Sequence, residues 1–158
     1  MDTKRAMLRH CLATLAYRSG KVLRDAPPDF ADYRASETTR TPAEILAHLG
    51  DLIEWASSVA RGQETWSNAG PLSWQAGTDR FFASLTALDD YLASNQPLGI
   101  LEEKLFQAPI ADSLTHVGQL AMLRRMSGSP IRGENYLNAG IESGRVGAEQ
   151  KPSDFEFD

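Results

Sequence analysis

The sequence predicts an all-α chain, folded as a four-helix bundle with an irregular C-terminal tail. Three observations carry that expectation. Apolar residues recur at spacings of three and four in four separate segments, prolines and glycines fall between them, and no stretch alternates convincingly as a half-buried strand would. At 158 residues the chain suits one domain, which buries roughly 70% of its unfolded surface and needs no staple. That domain is expected over 1–150, with 151–158 an acidic tail that frays.

In the first segment Leu8, Cys11, Leu12, Leu15, Ala16, Val22 and Leu23 form the apolar stripe, and Pro27-Pro28 ends it. Residues 29–40 read as a polar connection holding two aromatics, Phe30 and Tyr33. The second helix announces its start in Thr41-Pro42-Ala43-Glu44: a capping Thr, a Pro at the first helical position and a Glu that reaches back to the cap. Ile45, Leu49, Leu52, Ile53, Ala56 and Val59 continue it, and Gly62 is the expected stop. A third helix is expected over 73–94, with Phe81, Phe82, Leu85, Leu88 and Leu92 inward. A short amphipathic piece covers 100–106. Pro109 stands where the fourth long helix, 110–126, is expected to begin, and Gly128-Ser129-Pro130 stops it.

Composition excludes several classes of function. Sixteen Lys and Arg against twenty-one Asp and Glu leave a net charge of −5, which disfavours nucleic acid and anionic membranes as partners. No apolar run approaches the roughly 18 residues a spanning helix needs. The N-terminal stretch is broken by Arg9, His10 and Arg18, so it lacks the apolar core of a signal peptide. The single cysteine, Cys11, allows no intrachain disulfide and fits a reducing compartment. A cytoplasmic location is the expectation.

The residues richest in chemistry are His48, Asp112 and His116. His48 follows Ile45 by three and precedes Leu52 by four, so it belongs to the inward stripe of its helix. Asp112 and His116 are one turn apart and share a face, which Leu120 and Leu123 extend toward the interior. A buried carboxylate there calls for a cation or several donors. Two imidazoles and one carboxylate would make an open site suited to Zn, Ni or Fe as the divalent metal ion. The competing reading is an ordinary helix-surface ion pair beside a hydrogen-bonded core histidine.

Other residues carry weaker signals. His10 and Cys11 point about 100° apart and form no compact nucleophile–base pair. Trp55, Trp66 and Trp74 line a pocket or simply pack. Arg124 and Arg125 oppose their own helix dipole, or one of them grips an anionic substrate. Gln119 is placed to hydrogen-bond a ligand. Glu44, Asp51 and Glu54 share a helix with His48 but suit caps or solvated charges.

The stretch Thr41-Pro42-Ala43-Glu44-Ile45-Leu46-Ala47-His48-Leu49 resembles the second-helix motif of the DinB-like (DinB/YfiT) superfamily. His116-Val117-Gly118-Gln119-Leu120-Ala121-Met122-Leu123-Arg124 resembles its fourth-helix motif, in matching order and separation. The resemblance reaches to about Tyr136. It implies an up-down-down-up bundle whose metal is held by His48 and His116, with Asp112 standing where the family usually has another His. Val117 likewise replaces a usual Arg. An Asp at that corner keeps a ligand but favours harder metals. The resemblance further implies a metal-dependent transferase or hydrolase acting on a small molecule, with a low-molecular-weight thiol or water activated by the metal. The alternative is a non-catalytic bundle serving dimerisation, as a homodimer, or partner binding.

Overall fold

The computed structural model describes residues 2–157, so Met1 and Asp158, the ends of the expected domain and tail, lie outside the described residues. Helix α1 (Thr3–Leu23) is capped by Asp2, whose carboxylate accepts from the Lys4 N–H. It ends before Pro27, and Asp25 there takes a left-handed conformation, φ 53°. The connection that follows is not merely polar. Phe30 begins a short 3-10 turn, is 1% exposed, and meets Trp74 edge-on with centroids 5.4 Å apart.

Helix α2 (Pro42–Ala60) opens as its sequence demands. The Glu44 N–H donates to Thr41 Oγ1 at 3.2 Å, and the Thr41 N–H donates to Glu44 Oε2 at 2.6 Å. Two first-turn donors are thereby satisfied reciprocally. The helix stops at Gly62, φ 71°, a left-handed position where a Cβ would be strained. Helix α3 (Trp74–Ala93) is capped by Ser73 Oγ, which accepts from the Ala76 N–H, and buries Phe81, Phe82, Leu85, Leu88 and Leu92.

Beyond it the chain departs from expectation. Pro109 does not begin a helix. A short α4 (Glu102–Leu105) runs through a π turn, Phe106–Ile110, directly into α5 (Ala111–Met126). Pro109 lacks the N–H that a regular turn requires, so the turn widens and the Ala111 N–H reaches the Phe106 carbonyl. Ser113 Oγ then donates to the Pro109 carbonyl at 2.7 Å.

α2 lies against α3 and α5, and α1 lies against the same two helices. All four long helices feed one core, in which Leu12, Leu15, Leu49, Ile53, Phe81, Leu85 and Leu120 are completely enclosed. The chain is therefore predominantly helical. No helix among the described residues is long and apolar enough to cross a membrane.

A two-residue strand β1 (Gly133–Glu134) pairs antiparallel with β2 (Glu156–Phe157). Lys21 on α1, 5% exposed, binds Glu134 at 2.8 Å and Glu156 at 2.7 Å, so both strands are tied to the first helix. A buried lysine needs such partners, and this one has two carboxylates.

Candidate metal centre

His48 projects from the middle of α2 and Asp112 and His116 from the first two turns of α5. One donor atom from each lies within 4.8 Å of the other two. His48 Nε2 is 3.8 Å from Asp112 Oδ2, and the two imidazole centroids are 4.7 Å apart. The structure thus brings together all three residues singled out by spacing.

The two imidazoles are prepared differently. His116 Nδ1 lies 2.9 Å from the Asp112 carbonyl. A carbonyl only accepts, so Nδ1 is the donor in this contact, which leaves Nε2 as the atom that could meet a metal. His48 makes no hydrogen bond to protein among the described residues. Burial holds its pKa below the usual histidine value, helped by the charges of His116 and Arg40 and opposed by Asp112 and Asp51. It is neutral at pH 7, the state in which imidazole ligates.

Asp112 is not where the sequence placed it. Its side chain is 46% exposed, at the rim rather than in the interior. The buried residues of α5 are Ser113, His116, Val117, Leu120, Leu123 and Arg124. Asp112 lies at the edge of that surface, beside His116 and near His48 of α2. The carboxylate is solvated, so geometry rather than burial argues for a cation here.

Bonds of about 2.1 Å to a divalent ion set neighbouring donors about 3.4 Å apart. The observed spacing therefore closes by roughly an ångström, within reach of an Asp at the rim and a half-buried His. Two imidazoles and one carboxylate give a facial set with open positions, so the residues fit a divalent metal.

The surroundings of His48 contain residues that the sequence reading misjudged. Asp51 is 1% exposed, not solvated. It accepts from Arg80 at 2.7 Å and from the Ala69 N–H at 3.2 Å, while Arg80 also holds Glu54. Arg80 lies so close over α2 that a Cβ at Gly50 would meet its guanidinium at 2.8 Å. This joint pins residues 61–73 over α2 and sets Trp66 edge-on to His48, with centroids 5.8 Å apart. Trp55 backs Trp66 at 5.9 Å. Leu46, Gly50 and Ile53 form a second buried row on α2, and that row was the sequence signal that the Asp51 side of the helix is covered.

Arg124, in the last turn of α5, is held by backbone carbonyls. Its guanidinium donates to the carbonyls of Val22, Arg24, Asp25 and Ser129, closing the end of α1. Cys11 lies on α1 away from the cluster, and burial raises its thiol pKa, which keeps it unreactive.

Two hollows flank the imidazoles. One of about 230 Å³ lies beside His48, lined by Glu44, Asp51 and Asn68. The other, about 640 Å³, opens at His116 and runs along Gln119 and Met122. Arg40 lines both. Set against known protein families, curated proteins and solved structures, the chain matches none of them.

Proposed function

We propose that the chain is a DinB-like metalloprotein, an up-down-down-up helical bundle holding one divalent ion, Zn, Ni or Fe, between His48, Asp112 and His116. The observation that carries this is the convergence of three donors within 4.8 Å from two helices, one of them an imidazole that makes no hydrogen bond among the described residues. The resemblance of residues 41–49 and 116–124 to the family's motifs supports it.

The proposed activity is a transferase or hydrolase reaction on a small molecule. A divalent ion bound there lowers the pKa of a thiol or a water and makes it nucleophilic near neutral pH. The protein's part is to hold geometry. The Asp112 carbonyl fixes the His116 ring, the covered setting keeps His48 neutral, and Trp66 limits solvent on its side. Asp112 supplies the one negative charge, which suits harder ions better than a third imidazole would.

Metal analysis of protein purified without nickel resin or chelator tests this reading. One equivalent of divalent ion per chain is expected, lost in His48→Ala. A chain that retains none, and takes up none on titration, is instead a non-catalytic bundle acting in dimerisation or partner binding.

A further inference from the structure

We infer that the hollow opening at His116 binds a small organic anion with an apolar chain, its charge held by Arg40. The walls of this 640 Å³ groove include Ile45, Leu123, Met122 and Met126. Met122 and Met126 are 58% and 52% exposed, an unusual amount of flexible apolar surface beside a polar cluster. Methionine adapts its shape to a ligand at little cost. No carboxylate lines the groove, and Arg40 is its one formally charged wall residue.

Arg40 is also free to act. It makes no hydrogen bond or ion pair among the described residues, although the chain has an excess of acids. The other arginines near it are committed: Arg34 to Glu44 and the Thr39 carbonyl, Arg80 to Asp51 and Glu54, Arg124 to backbone carbonyls. The two carboxylates lining the hollow on the other side of Arg40 are occupied as well. Glu44 caps α2 and Asp51 holds Arg80 and Ala69. A guanidinium left with its fork open binds carboxylate or phosphate oxygens in pairs. Gln119 adds an amide on the same wall as His116. A ligand seated this way lies with its charged end between Arg40 and the proposed metal centre and its chain along the two methionines. The inference deepens the metal reading and, as a statement about substrate, rests on it.

Calorimetric titration of the metal-stripped full chain with octanoate, octanol and acetate tests the site apart from the metal. Octanoate is expected to bind at least about tenfold more tightly than either octanol or acetate. Arg40→Gln should remove the advantage over octanol, and Arg40→Lys should keep part of it. Arg40 is exposed, so both variants should melt as the parent does. Equal binding of octanoate and octanol, or unchanged octanoate affinity in Arg40→Gln, overturns the inference. Metal content measured on the parent chain reads the metal centre separately: no metal retained or taken up, with selective octanoate binding intact, counts against that centre alone.

Discussion

Two of the polar clusters in this molecule are built on opposite terms: one ties the two short strands to α1, the other lies between α2 and α5. Around Glu134 both carboxylate oxygens are bonded. Its carboxylate, wholly enclosed, accepts from Tyr17 at 2.6 Å, Lys21 at 2.8 Å and Ser153 at 2.6 Å. Around His48 valences are left open: that imidazole makes no hydrogen bond among the described residues, with Asp112 Oδ2 3.8 Å away, and the carboxylate stands half in solvent. The first arrangement consumes its hydrogen-bonding capacity to hold the chain end against α1. The second keeps lone pairs pointed at a common space, which is what a ligand-binding site requires and a structural joint does not.

The difference is most sharply broken at Glu134. Glu134→Ala removes the shared acceptor of Tyr17 and Ser153 and leaves Lys21 with Glu156 alone, and should cost about 3 kcal/mol in chemical denaturation. The metal content of the folded fraction should not change. The reverse holds at the open cluster. His48→Ala should change the stability of the metal-free protein by less than about 1 kcal/mol. It should abolish the stabilisation of about 2.7 kcal/mol expected for the parent at a hundredfold excess of metal over Kd. Asp112→Asn should weaken metal binding about tenfold, whereas Asp112→His should keep metal and turn selectivity toward Zn, read in binding isotherms.

Acid should separate the clusters further. Burial raises the Glu134 pKa, but the hydrogen bonds from Lys21, Ser153 and Tyr17 outweigh it and leave the carboxyl below its ordinary range. Its contribution is therefore full above the unfolded carboxylate pKa near 4.3 and is lost as pH falls through the lower folded value. His48, also depressed, titrates earlier. The unfolded chain takes its proton from about pH 6.5 downward while the folded chain resists. Stability of the metal-free protein should thus decline in two stages, and His48→Gln should flatten the upper one alone. The smallest effect concerns Trp66, half exposed beside His48. Trp66→Phe should leave stability within about 0.5 kcal/mol yet remove most of the fluorescence change on metal addition.

What the sequence made legible was what local chemistry decides. The start of α2 followed from Thr41, Pro42 and Glu44 because the cap is made within four residues. The grouping of His48, Asp112 and His116 followed from helical spacing and the resemblance. Failures arose where a distant partner or a hidden polar residue decided the outcome. Ser113 belongs to the enclosed stripe of α5 only because its hydroxyl has the Pro109 carbonyl to bond, so a count of apolar residues passed over it and placed Asp112 too deep. The anchoring of the chain end depends on Lys21, more than 100 residues away in sequence. Two-residue strands have no alternation to read.

The π turn at Phe106–Ile110 sets where Asp112 and His116 point, through the number of residues it contains. Each residue of a regular helix advances the face by about 100°. Removing a single residue from this turn would, with α4 held, swing the whole of α5 by about that angle, carrying His116 away from α2 and presenting a different row to His48. Insertions and deletions between Leu105 and Ala111 are consequently far more damaging than substitutions of the same residues. Exchanging Gln107, which is exposed, should be tolerated, whereas its deletion should dismantle the cluster without altering any of its three side chains.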